Sequence, residues 1–202
     1  MRGQEIGASR LEPRFAPLLR HQDMAYLERL PWPAYGMWAD ATLAYFNPAY
    51  ARSAPHGWGL GACALDAAGV LRPTLSHLHQ DALTGGEPVT FRYACPTPTH
   101  ARTFELSLTP LDDGRGLLAQ HSLVVERPHG VIAPAVEAAY RGPSGLITQC
   151  AHCRRTRRGV DETWDVVPEF IAHALPHTSH GVCPSCEAHY FTPHVGRGRQ
   201  GV

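Results

Sequence analysis

Two pairs of cysteines near the carboxyl end constrain the fold of this chain more than any other feature. Within each pair two residues separate the cysteines, and 29 residues lie between the pairs. A turn with two residues between its cysteines directs both sulfurs at one ion. Two such turns together supply a tetrahedral set of four thiolates. Closed sites of this kind favour zinc, which is redox-inert. We therefore predict a structural Zn²⁺ site whose ligands are Cys150, Cys153, Cys183 and Cys186.

The 29-residue insert between the pairs is longer than in zinc ribbons, so we expect it to contain structure of its own. We predict a short helix in it, with Asp165 as the N-cap and Pro168 in the first turn. Phe170 and Ile171 provide the apolar face of this helix, and we expect Trp164 to pack beside it.

A rival ligand set keeps the first cysteine pair and adds His173 and His177, which have the spacing of a zinc finger. Its 19-residue gap is longer than the usual ~12 residues, and it leaves the second pair of cysteines without a role. Two further alternatives use the same four cysteines, either as a dithiol redox switch or as a catalytic metal site.

Basic residues follow the first cysteine pair directly. A zinc ion with four thiolates carries about two net negative charges. We therefore expect Arg154, Arg155 and Arg157 to offset that charge or to hydrogen-bond the sulfurs. We expect His180 to donate a hydrogen bond beside the site or to form its turn. Together with Arg158 these arginines also suit nucleic acid, but no aromatic stacking residues alternate with them, which disfavours that partner.

The charge balance of the 202 residues is zero, because 18 arginines face 18 acidic residues and there is no lysine. A neutral chain is not a general polyanion binder, although a local basic patch remains compatible with it. No apolar run reaches the ~18 residues that span a bilayer, and no signal-peptide core opens the chain. We expect a cytoplasmic protein without a membrane partner, in which thiols stay reduced and serve metal or redox chemistry.

The residues before the cysteines alternate between strand and helix patterns. We predict a helix over 14–29, a short helix that Asn47 caps and Pro48 begins, and a helix over 71–83 that Gly85 and Gly86 end. The predicted strands cover residues 34–39, 42–46, 89–94, 103–109 and 116–125. Two strands, then helices, then three strands predict an α+β fold with a five-stranded antiparallel sheet.

The stretch 38–50, WADATLAYFNPAY, resembles the opening strand pair and Asn-led helix of PAS domains. Residues 93–104, 109–111 and 116–122 are similar to the last three PAS strands. The resemblance covers roughly residues 30–126 and implies flanking helices and a sensory or dimerising role. It also implies that a small-molecule ligand is an option, in a cavity between sheet and helices, although the pocket residues are unknown.

Several residues of this part suggest cofactors that we do not expect. Cys63 lies in a segment faintly similar to the flavin-adduct segment of light-sensing relatives, but the surrounding pattern is absent. His77 and His79 lie on the predicted 71–83 helix, where some PAS proteins place a haem ligand, and we interpret them as surface or hydrogen-bonded core residues. We assign the following residues to packing: Trp32, Trp38, Tyr45 and Cys95.

Residues 146–191 resemble a module that follows PAS, receiver or similar sensory domains in bacterial signalling proteins. Its pattern is Cys-x2-Cys with basic residues, a tryptophan, and then Ser-His-Gly-x-Cys-Pro-x-Cys. We therefore divide the chain into five parts: an N-terminal helical segment (1–30), a PAS-like domain (31–126), a linker (127–145), a zinc-knuckle-type module with four cysteines (146–191) and a disordered tail (192–202).

The sequence contains no ordered catalytic triad, no nucleotide-binding loop and no HExxH motif, so we expect no enzymatic activity. We predict a cytosolic bacterial sensory or regulatory protein. In it, a PAS-like domain senses or dimerises and a structural zinc module docks a protein partner or a second copy. Two alternatives stay open, which are a nucleic-acid-binding regulator that uses the arginine-rich module and a thiol or zinc redox sensor.

Overall fold

The computed structural model describes residues 10–54, 58–173 and 175–190, which form two compact units. The first unit comprises the described residues up to Arg92 together with Phe104–Val124. The second unit comprises Tyr93–Thr103 together with the described residues from Val125 onward. The predicted disordered tail lies outside the described residues, and the predicted domain boundaries stay predictions.

A five-stranded antiparallel sheet dominates the first part of the chain and confirms the predicted α+β fold. Its strands are β1 (Ala34–Trp38), β2 (Leu43–Phe46), β3 (Val89–Ala94), β4 (His100–Leu111) and β5 (Gly116–Pro128). Their order across the sheet is β2-β1-β5-β4-β3. All five predicted strands are present, and the last two extend beyond their predicted ends.

Helices flank this sheet, as the resemblance to PAS domains implies. They are α1 (Met24–Arg29), α2 (Pro48–Ser53), a 3₁₀ helix (Ala64–Leu71) and α3 (Arg72–Gly85). At the end of α3, Gly86 adopts the left-handed φ of 67°, and its N–H donates to the carbonyl of Ala82. The predicted glycine stop is therefore confirmed.

The predicted single helix over 14–29 is wrong, because the structure has a 3₁₀ helix (Ala16–Leu19) and then α1. The Asp23 side chain accepts a hydrogen bond from the backbone N–H of Tyr26 at 2.9 Å. Asp23 therefore interrupts the predicted helix and starts a new one, because a residue that caps a helix has non-helical backbone angles itself.

The N-terminal segment packs on one face of the sheet. Phe15 is fully buried, and its ring meets the ring of Trp38 edge-on at 4.9 Å. Glycine is needed beneath this ring, because a Cβ at Gly116 would lie 2.9 Å from Phe15 and 2.8 Å from the carbonyl oxygen of Met37. The core around Phe15 consists of Leu18, Leu19, Leu27, Ala34, Ala44, Tyr45, Leu111 and Leu118.

The packing assignments for the aromatic residues agree with this core. Tyr45 is 1% exposed, and its hydroxyl donates to Glu28 at 2.9 Å. The indole N–H of Trp38 donates to Glu12 at 2.7 Å, and Trp32 meets Phe104 edge-on at 4.8 Å.

Asn47 ties the N-terminal segment to the sheet and to α2. Its side-chain oxygen accepts from the backbone N–H of Tyr50 at 2.9 Å, which confirms the predicted cap, and from Ala34 at 3.0 Å. Its side-chain nitrogen donates to the carbonyls of Leu27 and Trp32. The residue is fully buried, so all of these bonds replace bonds to water.

The second unit contains a small four-stranded sheet in the order β8-β7-β6-β9. Its strands are β6 (Ile147–Cys150), β7 (Thr156–Arg157), β8 (Trp164–Asp165) and β9 (Thr178–Gly181). The β6–β7 and β7–β8 pairs are antiparallel, whereas β6 and β9 are parallel. Three short helices accompany the sheet: α4 (Glu137–Tyr140), α5 (Pro168–Ala172) and α6 (Pro184–Tyr190).

The insert between the cysteine pairs holds the predicted helix, which is α5, but Asp165 is not its N-cap. Val167 precedes α5 without a side-chain cap. Asp165 lies in β8, where its carboxylate accepts from the Tyr140 hydroxyl at 2.9 Å and pairs with Arg158. The Asp165 carboxylate is therefore engaged in an ion pair and a hydrogen bond instead of capping α5.

No helix among the described residues has the length and apolar character to cross a membrane.

Candidate metal centre

The parallel pairing of β6 and β9 brings the two cysteine pairs together. Parallel strands end at the same edge of a sheet, and Cys150, the last residue of β6, lies opposite Gly181, the last residue of β9. The turn after β6 carries Cys153, and the chain after β9 carries Cys183 and, in the first turn of α6, Cys186. Residues paired across β6 and β9 are 31 positions apart in sequence, and this pairing brings the four sulfurs to one edge of the sheet.

The geometry of the cluster suits a tetrahedral metal ion. All four Sγ atoms lie within 4.8 Å of one another, and Cys153 and Cys183 are 3.5 Å apart. Four sulfurs at ~2.3 Å from a zinc ion would be about 3.8 Å apart, which is close to this arrangement. All four are free thiols, and three of them are buried. The donor set therefore fits a metal that thiolates bind well.

Hydrogen bonds favour ionisation at one corner of the cluster. The Cys153 thiol bonds to the Cys150 sulfur, and backbone N–H groups add to it, among them that of Cys183 at 3.4 Å. These bonds lower the pKa of Cys150 to about 4. Cys153 holds its proton in the same bond, and its pKa is raised. Burial, with the charge at Cys150, raises the pKa of Cys186 to about 12.

Together these shifts describe one thiol, Cys150, that ionises readily beside two, Cys153 and Cys186, that hold their protons. A divalent cation among the sulfurs changes this, because it stabilises each further thiolate and expels its proton. The buried cluster is therefore suited to a cation on electrostatic as well as geometric grounds.

The turn after β6 has the backbone geometry of a metal knuckle. Arg154 adopts a left-handed φ of 59°, and its N–H donates to the carbonyl of Cys150 at 3.1 Å. The N–H of Cys150 donates to the carbonyl of Arg155 at 2.7 Å, while the N–H of Arg155 bonds to the Cys153 sulfur. These bonds fold the chain back so that both sulfurs of the pair share one side.

The charged residues beside the site pair mainly with other side chains. Arg154 donates to Gln149 at 3.4 Å and lies 3.5 Å from the His180 ring nitrogen. Arg157 pairs with Glu162 at 3.5 Å, in addition to the pair that Arg158 forms. Their predicted action on a bound metal stays a prediction.

Trp164 and Tyr190 cover the cysteine cluster. Trp164 lies in β8 and packs against the cysteines, and its predicted packing beside the helix of the insert stays a prediction. Tyr190, on α6, stacks on the ring of His152 at 4.4 Å, and its hydroxyl accepts from the backbone N–H of Ala94 at 3.0 Å.

Sequence reasoning missed two residues that support the site. His152 is 5% exposed and lies between the cysteines of the first pair, where its partner Tyr190 is too distant in sequence for any spacing rule. Gln149 is 4% exposed, and its side chain donates to the carbonyl of Phe170 in α5. A polar residue in a short buried strand was the available signal for Gln149.

The rival ligand set is not assembled. Within the described chain, the group of potential ligands that comes together consists of the four cysteines, whereas His173 and His177 are both exposed. The reason lies in the sheet, because β9 pairs with β6 and so carries Cys183 to the first pair.

A group of aromatic side chains lies on the face of the large sheet opposite Phe15. Tyr35 in β1 contacts Tyr50 of α2 at 5.2 Å and the ring of His121 in β5 at 5.7 Å. Phe46 in β2 joins them through Tyr50 at 5.4 Å. Burial lowers the pKa of His121 to about 4. This face therefore keeps a neutral imidazole among aromatic rings at neutral pH.

The two histidines on the 71–83 pattern differ in burial, since His77 is exposed and His79 is 5% exposed. Burial lowers the pKa of His79, and a hydrogen bond to the backbone of Trp38 acts in the opposite direction. Cys63 precedes the 3₁₀ helix and forms an isolated bridge with Thr42. Cys95 accepts from Arg102 through its carbonyl at 2.9 Å.

No family model and no curated protein matches this chain. Solved structures do match it. One is the PAS domain of Bordetella pertussis BvgS, with 17% identity, a TM-score of 0.42 and coverage of 51% of this chain and 84% of that one. Another is a sensory box sensor histidine kinase from Vibrio cholerae, with 13% identity, a TM-score of 0.38 and coverage of 50% and 87%. The chain's own residues therefore carry the functional conclusions.

Proposed function

We propose that this chain is a sensory or regulatory protein without enzymatic activity. Its PAS-like domain receives a signal or dimerises, and a structural zinc module presents a surface to a partner protein. The resemblance of residues 30–126 to PAS domains supports the first part, and the five-stranded sheet with flanking helices agrees with it. The cysteine cluster supports the second part.

The observation that carries the proposal is the set of four free sulfurs within 4.8 Å of one another. Cys150, Cys153, Cys183 and Cys186 would hold the ion, and zinc would supply a cross-link between two turns rather than a reactive centre. Four thiolates leave no coordination position for water, which is what catalytic zinc requires. The metal would thus fix α6 and the turn after β6 in one arrangement.

Signalling in this scheme is a shift between conformations. A ligand or partner that binds one state of the PAS-like domain more tightly than another changes the populations, and the zinc module presents the surface of the favoured state. The short Cys153–Cys183 distance of 3.5 Å also suits disulfide formation after loss of the metal, so a redox sensor stays the second candidate.

Elemental analysis of purified protein tests the metal site. We expect one zinc per chain, and Cys183→Ser should lose it because only three thiolates remain. Cobalt substitution should give the absorption of a tetrahedral thiolate site. The matched control is Cys95→Ser, which removes a partly buried thiol outside the cluster and should keep the zinc. Protein without zinc whose four cluster thiols all react with iodoacetamide in the native state would overturn the site.

A further inference from the structure

A cleft of about 530 Å³ lies within the second unit, beside the cysteine module. The end of β5 and the residues after it form one side, with Arg127 and His129. The turn after β6 and strand β8 form another side, with Arg155, Trp164 and Asp165. The cleft thus combines basic side chains with one indole.

Two guanidinium groups in this cleft are uncompensated. Within the described chain, the side chains of Arg127 and Arg155 have neither an ion pair nor a hydrogen bond. The described ion pairs with arginine partners elsewhere in the second unit occupy Arg141, Arg157 and Arg158. Arg127 is exposed, so water solvates its charge. Arg155 is half-buried, and because less water reaches its guanidinium group, the lack of a protein counter-ion is more costly there.

The remaining polar residues of the cleft already have partners. The Nε2 atom of His129 lies 2.7 Å from the carbonyl oxygen of Thr97, and because a carbonyl only accepts, Nε2 carries the proton. Asp165 accepts from the Tyr140 hydroxyl and pairs with Arg158, so a counter-ion offsets its negative charge. The cleft therefore has a net demand for about two negative charges at the two free arginines.

We propose that this cleft binds a short acidic segment of a partner protein, with one carboxylate at Arg127, another at Arg155, and an apolar side chain against Trp164. Guanidinium groups bind carboxylates through paired, charge-assisted hydrogen bonds. Trp164 lines the cleft, and an indole in such a position contributes apolar contact area and often forms the centre of a binding surface. This proposal rests on the proposed function, because it names the chemistry of the partner that the module docks.

The charges of the module favour a peptide over nucleic acid. A phosphate backbone is bound by a track of basic residues with several aromatic platforms. Here Arg157 and Arg158 are engaged by carboxylates, Asp165 itself lines the cleft, and Trp164 is its single aromatic ring apart from His129. Two free charges in a cleft of about 530 Å³ match two or three side chains.

The test uses the full-length, zinc-loaded chain and a fluorescein-labelled peptide, Glu-Glu-Leu-Glu-Glu, with blocked ends. We expect saturable binding by fluorescence anisotropy. Loss of one charge-assisted pair should weaken it roughly tenfold or more in Arg127→Gln and in Arg155→Gln. Arg52→Gln is the matched control, since Arg52 is an exposed arginine in the first unit and its replacement should leave the affinity unchanged.

Three further probes decide between sources of the negative charge. The isosteric peptide Gln-Gln-Leu-Gln-Gln should not bind. Glutarate that binds as tightly as the acidic peptide would overturn the peptide assignment in favour of a free dicarboxylate. A short single-stranded DNA that binds more tightly than the peptide, with the same loss in both variants, would overturn it in favour of nucleic acid.

Zinc content measured in every variant separates this proposal from the proposed function. Equal affinity in Arg127→Gln, Arg155→Gln and the wild type, with zinc retained, would overturn the cleft and leave the metal module in place. Arg155 is also expected to offset charge at the metal, so Arg127, which is remote from the cysteines in sequence, provides the independent variant.

Discussion

Single buried polar residues fix the relative positions of entire segments in this chain. Asn47 uses both atoms of its amide, and the four bonds join α1, β1, α2 and the chain before β1. Gln149 does the same in the second unit, where it links β6 to α5. Each such group is costly to bury without its partners, so it selects one arrangement of the elements around it.

The roles of these residues were predictable only as far as their local partners. An asparagine before a proline and a helical pattern predicts a cap, because the acceptor is three residues away. The other bonds of Asn47 reach residues 13 to 20 positions earlier, and no local pattern encodes them. His152 escaped prediction for the same reason.

His121 should make the protein sensitive to acid. Burial lowers its pKa from 6.5 to about 4, whereas an unfolded chain restores the ordinary value. As the pH falls below 6.5 the unfolded state takes up the proton first, so stability present above that pH is lost progressively towards pH 4. Urea denaturation measures the free energy of unfolding at pH 6.5 and at pH 4.5. We expect this free energy to fall less between the two pH values in His121→Gln than in the wild type. In the exposed control His77→Gln the decrease should persist, and an unaltered decrease in His121→Gln would contradict the assignment.

At the scale of elements, α6 connects the cysteine cluster with the end of β3. It carries Cys186 and, four residues later, Tyr190, which therefore lie on one face of the helix. The tyrosine hydroxyl accepts from the N–H of Ala94, the last residue of β3, and its ring stacks on His152. A change at the cysteines that moves α6 thus reaches the end of β3, which belongs to the same unit.

Replacement of Tyr190 by phenylalanine should loosen that end of β3. The ring and its stacking remain, but the Ala94 N–H loses its acceptor, which costs about 1 kcal/mol. We expect faster hydrogen exchange at the Ala94 amide by NMR, with zinc content unchanged. Tyr26→Phe, at an exposed tyrosine of α1, is the control and should leave that amide unaffected. An unchanged exchange rate in Tyr190→Phe would show that the hydroxyl does not hold β3.

The elements that the sequence predicted well are long enough to show the residue periodicity of a strand, or end at a clear stop signal. Strands β3 and β4 alternate apolar and polar residues over six residues or more, and the glycines after α3 mark its end. Strands β7 and β8 have two residues each, too few for any periodicity. The parallel pairing of β6 with β9 joins residues 31 positions apart, so the cysteine spacing predicted the cluster but not the sheet that builds it.

At the scale of the whole molecule, the two units have separate cores. The core around Phe15 draws all of its buried residues from the first unit, whereas Tyr140, Ile147, Val167 and Phe170 form one in the second. The cysteine cluster adds three further buried residues to the second unit. A metal site there would supplement a small apolar core, as structural zinc does in small domains.

Removal of the metal by a chelator should therefore unfold the module selectively. We expect β6, β9 and α6 to lose protection in hydrogen exchange measured by mass spectrometry, because four closely spaced thiolates then repel one another or must be protonated. Strands β1 and β2 should keep their protection, since their core contains no residue of the second unit. Added zinc should restore the pattern. Uniform loss across both units, or no loss at all, would contradict this division.

The chain passes between the two units three times, because residues 93–103 group with the C-terminal module although β3 begins and β4 ends in the first unit. Hydrogen bonds of His129 to Thr97 and Thr99 and of Tyr190 to Ala94 hold that segment in place. A fusion that joins the cysteine module to another protein at one point within residues 127–145 would lack residues 93–103, which support the module. Chimaeras that also carry 93–103 should retain a soluble, folded graft where single-cut versions do not.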